Sequence, residues 1–286
     1  MRRFFTEPEN ITENTAYLYE DAGHITKVLR MQEGDEILIF DGTGYEYTAK
    51  LSELNKNCCK AEIISKEFSA LYTMGMIGDD IASLKENDTF TRAQFIGSLY
   101  KIAGYSSIGH SATENPFIDI SVKTPYKDEI AYFYSMGIVN GTSENTFSPD
   151  APITYPQAAK IILDVCGYKE FTAKKYGSTL EGYTAMAMYI DLARNIQGIT
   201  LDKPLTANQA VKLLFNAGRT KVLDATGYTT AGEAFYETFD GKELFSVGND
   251  LYYGEGVLQS NGFVSLLSSE VQKEFAIIDN EKYLLK

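Results

Sequence analysis

The stretch Thr154–Tyr168, TYPQAAKIILDVCGY, opens on a Thr-x-x-Gln box and closes on a glycine, and the same design recurs on either side of it. Thr91-Arg92-Ala93-Gln94 precedes FIGSLYKIAGY, and Thr206-Ala207-Asn208-Gln209 precedes AVKLLFNAGRT. In each box the Thr hydroxyl is placed to accept from a first-turn backbone N–H, while Gln reaches back to the cap residue's own N–H. A cap of this kind is worth about 1 kcal/mol. Gly104, Gly167 and Gly218 stand where a left-handed residue stops a helix. One box is a weak signal, but the box in register with a terminal glycine, repeated, predicts an internal helical repeat.

The segments upstream of the boxes agree. Ala70–Ile77 (ALYTMGMI) and Ala131–Val139 (AYFYSMGIV) are short apolar helical runs broken by Met-Gly, and Tyr183–Leu192 (YTAMAMYIDL) is a looser third version. Each unit therefore reads as helix, polar loop and capped helix. Alone, such a unit cannot bury both helix faces, so the units are expected to pack together.

These residues carry a specific resemblance. The middle unit has Phe117-Ile118-Asp119-Ile120, then Gly137-Ile138-Val139-Asn140-Gly141, then Asn145-Thr146-Phe147-Ser148-Pro149-Asp150 and Ile153-Thr154. The first keeps Asn87-Asp88-Thr89-Phe90-Thr91-Arg92-Ala93-Gln94; the third has Gly182-Tyr183 and Leu213-Leu214-Phe215-Asn216-Ala217. Residues 69–220 resemble tandem S-layer homology (SLH) repeats of a clostridial-type, Gram-positive surface protein, at 69–105, 115–168 and 176–219. The resemblance implies an all-α three-repeat bundle whose grooves bind pyruvylated secondary cell-wall polysaccharide. It also implies that the arginine of the family's T-R-A-E motif meets the anionic sugar. A planar guanidinium suits a ketal carboxylate because it donates two parallel hydrogen bonds. Carried over residue by residue, the candidate polysaccharide-binding residues are Arg92, Thr91 and Gln94. Tyr155 and Ala207 occupy the arginine position in the other repeats. A ligand role for Arg92 and an intramolecular salt bridge both remain open, since a cation in the first turn of a helix opposes the dipole.

The chain of 286 residues is long enough for several domains, and 44% apolar content supports genuine cores. A net charge of −13 argues against nucleic acid or anionic membrane as the main partner. The 20 Tyr and 16 Phe, without Trp, suit core packing and strands first and carbohydrate stacking second. Cys58, Cys59 and Cys166 form no disulfide framework, and with His24 and His110 they give no zinc spacing. No apolar run approaches a membrane span. MRRFFTEPEN has arginines but no following apolar stretch, so it does not read as a secretory leader.

Residues 1–67 follow another rule. Glu36–Phe40, Tyr45–Leu51 and Cys58–Ile64 read as strands, with turns at Asp41-Gly42-Thr43-Gly44 and Asn55-Lys56-Asn57 and a helix at Asp21–Arg30. A small β-barrel with one helix is predicted. Met1-Arg2-Arg3-Phe4-Phe5, His24-Ile25-x-Lys27-Val28-Leu29-Arg30, Gly34-Asp35-x-Ile37 and Phe40-Asp41-Gly42-x-Gly44-x-Glu46-Tyr47 resemble the PUA-like N-terminal domain of 16S ribosomal RNA uridine-N3 methyltransferases. That resemblance implies phosphate contacts from Arg2, Arg3, Lys27 and Arg30, and rRNA as a partner through 1–67. The segment itself holds 8 Lys/Arg against 13 Asp/Glu, a net of −5, so any basic face is local. The family's catalytic domain and its G-P-E-G-G-type loop for S-adenosylmethionine have no counterpart in the chain.

From Lys221 the pattern turns to β. Glu243–Gly248, Leu251–Gly254, Gly256–Gln259 and Phe275–Ile278 read as strands between turns at Asp240-Gly241, Gly248-Asn249-Asp250 and Ser260-Asn261-Gly262. The closing Tyr283-Leu284-Leu285-Lys286 reads as a strand in mid-course, as if a larger β-region were cut short. The expected fold class is thus multidomain α and β: barrel at 1–67, all-α repeats at 68–220, β-rich segment at 221–286. No P-loop, G-x-S-x-G, H-E-x-x-H or C-x-x-C motif is present, so no enzyme, metal or cofactor is expected. Three functions compete: a cell-wall module outside the cell, an RNA-binding methyltransferase fragment in the cytoplasm, and an architectural spacer. A fusion or chimera of the first two is a further form.

Overall fold

The computed structural model describes residues 2–12, 14–41, 46–67, 71–72, 74–107, 115–230, 232–251, 258–260, 275–278 and 281–284. The turn at Gly42-Thr43-Gly44, the junction at Phe68, the first repeat's opening at 69–70, His110, the strand expected to reach Gly254 and the turn at Asn261-Gly262 lie outside these residues.

The amino-terminal sheet runs β1 (Arg2–Phe5), β3 (Glu36–Phe40), β4 (Glu46–Glu53), β5 (Cys59–Glu67), β2 (Thr15–Leu18) in spatial order. β1 pairs parallel to β3 and the other pairs are antiparallel. Period-two alternation buries Ile37 and Ile39 on β3, Tyr47, Ala49 and Leu51 on β4, and Ala16 and Leu18 on β2. β4 and β5 slip register between Thr48 and Ala49 and between Leu51 and Glu53, and bulges of this kind bend a sheet. Thr6 Oγ1, just after one edge strand, donates to the Tyr17 carbonyl of the other at 2.6 Å, so the sheet curls on itself. The central strands fall where the sequence put them. The edge strands β1 and β2 went unread, and the expected ten-residue helix is one π-helical turn, His24–Val28.

In the next segment regular structure is helical: α1 (Asp79–Ala82), α2 (Arg92–Ile102), α3 (Lys127–Ser135), α4 (Tyr155–Val165), α5 (Lys169–Tyr176), α6 (Leu180–Tyr189) and α7 (Ala207–Gly218). α2, α4 and α7 start at the Thr-x-x-Gln boxes. Gln94 N–H donates to Thr91 Oγ1 at 3.1 Å while Gln94 Oε1 accepts from Thr91 N–H at 3.0 Å. Thr206 and Gln209 do the same at 3.3 and 3.1 Å, and Gln157 Oε1 accepts from Thr154 N–H at 3.2 Å. The first upstream run is helical at Leu71 and Tyr72 and broken at Gly75, whose φ is +72°, and the short α1 follows it. One helix was unexpected. α5 was not foreseen, because its sequence KEFTAKKY has little apolar periodicity.

The residues just before the three caps bind one another. Phe90 N–H donates to the Leu205 carbonyl at 3.4 Å, Leu205 N–H to Ile153 at 2.8 Å, and Ile153 N–H to Phe90 at 2.9 Å. This closed ring of backbone bonds gathers three helix starts around one point, and Phe90, Ile153 and Leu205 are all at most 1% exposed there.

At the other helix ends Gly104 and Gly167 are left-handed, at φ +75° and +83°. Gly218, expected to be so, is instead the last helical residue of α7, and Arg219 is its cap. All three carry the chain that follows. β6 (Lys221–Tyr228) and β7 (Ala234–Glu243) form a hairpin that leads into α8 (Leu244–Asn249). The strand expected at Glu243–Gly248 is therefore a helix. Its consecutive apolar residues Leu244 and Phe245 are both buried, which a half-exposed strand cannot achieve. A Cβ on Gly104 would lie 1.8 Å from the Gly248 carbonyl, one on Gly167 2.4 Å from that of Leu223, and one on Gly218 2.1 Å from the Phe245 ring. Asn249 Nδ2 donates to the Lys101 and Ile102 carbonyls at 3.1 and 2.7 Å, capping α2. By its internal contacts the chain divides into two compact units, Met1–Leu251 and Tyr252–Lys286. The second unit, Tyr252–Lys286, contains an antiparallel sheet ordered β10 (Glu281–Leu284), β9 (Phe275–Ile278), β8 (Leu258–Ser260).

Candidate functional site

Arg92 begins α2 and is buried, with 6% exposure. The local reason is the capping box: Thr91 fixes the helix start, Arg92 N–H donates to the Ala151 carbonyl at 2.9 Å, and the side chain is turned into the following repeat. There Nε donates to the Phe147 carbonyl at 3.2 Å and one terminal nitrogen to the Asn140 carbonyl at 3.4 Å. The guanidinium carbon lies 4.6 Å from the centroid of the Phe147 ring, a cation–π stack. The other terminal nitrogen has no hydrogen-bond partner among the described residues. Desolvation pulls the Arg92 pKa below its ordinary value, and Asp119 opposes that shift. The guanidinium stays charged all the same.

Asp119 organises the loop that receives the arginine. Its carboxylate accepts from Phe147 N–H at 2.9 Å and from Ser148 N–H at 2.7 Å, and Ser148 is held at φ +60°. No ion pair joins Asp119 to Arg92, so the salt-bridge alternative for Arg92 is not what the geometry shows. Lys160 on α4 donates to the Ile138 carbonyl at 2.8 Å and to Asp164 at 2.7 Å, and Asp164 also accepts from Tyr183 Oη at 2.6 Å. Together these groups frame a cleft of about 200 Å³ lined among others by Arg92, Asn140, Thr142, Gln157, Lys160 and Leu180.

Of the residues picked from sequence, Arg92 reaches the cleft. Thr91 and Gln94 satisfy each other in the capping box and do not line it. Gln157, the same box position in the next repeat, does. Tyr155 and Ala207, at the arginine's equivalent positions, are 3% and 0% exposed, and the Tyr155 hydroxyl has no hydrogen-bond partner. Lys160 and Asn140 were missed; the motif Gly137-Ile138-Val139-Asn140-Gly141 was a signal for Asn140, and Lys160 carried none. In the amino-terminal sheet Arg3 is paired with Glu46 at 3.0 Å, whereas Arg2, Lys27 and Arg30 are exposed. Among the described residues there is no group of His, Cys, Asp and Glu fit to hold a metal ion, and no helix long and apolar enough to cross a membrane.

Comparison with known proteins finds similarity in two short segments. Residues 20–64 match the RNA methyltransferase PUA domain, and residues 116–159 match the S-layer homology domain. Asp119, Asn140 and Phe147 lie inside the second match, while Arg92 precedes it. The chain thus carries a PUA-type segment followed by an SLH domain. A cell surface protein of Thermoanaerobacter kivui is 31% identical over 64 residues, which is 22% of this chain and only 8% of that protein. Among solved structures, a predicted RNA methyltransferase of Thermotoga maritima is 29% identical over 24% of this chain and 31% of its own, with a TM-score of 0.22. The ribosomal RNA small subunit methyltransferase E of Neisseria gonorrhoeae, bound to S-adenosyl methionine, is 34% identical over 24% of this chain and 30% of its own, also at 0.22. Such scores describe no shared overall fold.

Proposed function

We propose that this chain is a non-catalytic cell-surface module in which three SLH repeats, at 69–105, 115–168 and 176–219, bind an anionic secondary cell-wall polysaccharide of the pyruvylated type. In this reading the junction near Phe68 separates two modules. The observation that carries it is Arg92: a buried, aromatic-stacked guanidinium at a cleft between repeats, with a nitrogen left over and no carboxylate in ion-pair contact. A largely desolvated cation with a spare donor at a cleft favours a ligand carboxylate, because no protein carboxylate is in ion-pair contact with it.

Titration of purified pyruvylated wall polysaccharide tests this. Arg92→Ala should cost on the order of 2–5 kcal/mol of binding, or roughly 30-fold and more. Arg92→Lys should recover only part, since a point charge replaces a fork. Thermal melts of each variant separate binding from folding. Equal affinity of wild type and Arg92→Ala would end the reading.

A second reading rests on the PUA match at 20–64 together with exposed Arg2, Lys27 and Arg30. Residues 1–67 would then hold 16S rRNA through phosphate contacts. Filter binding over a salt series decides: the affinity should fall with a log–log slope of about −2 to −3 if three phosphates are met, and no retention at low salt excludes it.

A further inference from the structure

α5 is the part of the SLH segment that neither the repeat pattern nor the cleft explains. Its Lys169, Lys174 and Lys175 against a single Glu170 make it cationic in a chain of net charge −13. Lys174 is paired with Glu233 at 3.4 Å and Lys169 Nζ donates to the Gly137 carbonyl at 3.2 Å. Lys175 has no ion pair among the described residues. Its ammonium instead lies 3.5 Å from the centroid of the Tyr189 ring, 5.3 Å from Tyr176 and 5.6 Å from Phe171. Tyr176 and Tyr189, with centroids 6.5 Å apart, are themselves 37% and 63% exposed.

A cation held over exposed rings keeps its N–H bonds for a partner outside the protein. Solvent-facing tyrosines flanking it offer flat apolar faces with a polar rim, the surface on which the C–H faces of a pyranose stack. α6 links the patch to the cleft, running from the cleft residue Leu180 to Tyr189, and backbone near the cleft meets both ends of α5. Lys169 holds Gly137, next to the cleft residue Ile138, and Tyr176 abuts Gly182, two residues from the cleft residue Leu180.

We propose that Lys175, Tyr176 and Tyr189 form an outer subsite for the same carboxylate-bearing polysaccharide, taking a sugar beyond the one held at Arg92. This rests on the cleft reading above. Charge complementarity to an anionic polymer and continuity with the cleft wall at Leu180 select this occupant.

The test uses the full chain, with purified pyruvylated wall polysaccharide in one arm and a single-repeat oligosaccharide from it in the other. Lys175→Ala and Tyr189→Ala should each weaken polymer binding about 3-fold to 10-fold, as expected for exposed cation–π and charge contacts. They should leave the oligosaccharide unchanged, because it fills the cleft alone. Thermal melts of both platform variants serve as the folding control. Loss with Arg92→Ala but full polymer affinity in both platform variants overturns the subsite and leaves the cleft reading standing. Loss in the platform variants with none in Arg92→Ala keeps the subsite and overturns the cleft. No binding of polymer by the wild type overturns both.

Discussion

The backbone N–H of Ile153 donates to the carbonyl oxygen of Phe90 at 2.9 Å, across 63 positions of sequence, and each residue stands directly before a helix-capping threonine. With Leu205 completing the ring, the contact ties the starts of α2, α4 and α7 into one knot that is wholly buried. Polar backbone groups in such a place must pair with each other, because water cannot reach them.

Phe90→Ala should therefore destabilise the helical segment by about 3–5 kcal/mol, the cost of a large buried cavity. Ile153→Val at the same knot should cost only about 0.5–1.5 kcal/mol. Urea unfolding followed by helical circular dichroism measures both, and similar midpoints for the two variants would show that the knot is not a core.

The glycines at the far helix ends give a second contrast. Gly104 is at φ +75° with Gly248 pressed against it, while Gly177 is at φ +89° in open space. Gly177→Ala should cost about 1–3 kcal/mol, because φ +89° with ψ 163° is a region only glycine adopts freely. Gly104→Ala adds a backbone clash and should cost about 3 kcal/mol or more. Phe245→Ala, far from the repeats in sequence, should also lower their melting temperature, because its ring covers Gly218. Unchanged repeat stability in Phe245→Ala would detach the hairpin and α8 from the helical core.

Two buried tyrosines should respond oppositely to loss of a hydroxyl. Tyr155 Oη has no partner, so Tyr155→Phe should be neutral or stabilising by up to about 1 kcal/mol. Tyr183 Oη donates to the buried Asp164 carboxylate at 2.6 Å, so Tyr183→Phe should destabilise by about 1.5–3 kcal/mol. Equal effects from the two would contradict the hydrogen-bond assignment.

Alkaline pH should unfold this protein early. Burial pushes Cys166 from 9.0 up to about 12 and Tyr155 and Tyr168 from 10.0 up to about 12, with Asp191 adding to Tyr155 and Cys166 to Tyr168. Below pH 9 both folded and unfolded chains keep these protons, and their contribution is complete. Between about 9 and 12 the unfolded chain releases protons that the folded chain retains, so stability falls as pH rises. Denaturant midpoints should be level from about pH 7 to 8.5 and drop steadily above 9, less steeply in Tyr155→Phe; a flat profile to pH 11 would refute the burial of these groups.

Much of this was readable without coordinates. The capping boxes placed α2, α4 and α7 because a cap is a local contact among four consecutive residues. β3 was exact and β4 and β5 nearly so, because alternation against a half-buried face is written in each strand itself. The edge strand β1 escaped, since its pairing partner β3 is some thirty-five residues away and RRFF shows no alternation. ELFSVG misled, because a short apolar run fits helix and strand alike until its neighbours are known. Arg92 was legible from its motif, but its partners Asn140 and Phe147 were not legible as partners, being 48 and 55 positions away.

The sequence by itself determined the three box-capped helices and the central strands of the amino-terminal sheet. Those follow from contacts within a few residues, whose energies do not depend on the rest of the chain. Only the tertiary structure decided that Phe90, Ile153 and Leu205 close on one another, and that the three repeat-terminal glycines serve as seats for the hairpin and α8. It also decided that Lys175 lies over two exposed tyrosines. Close packing sets those relationships, and its short-range contacts depend on positions that no local pattern records.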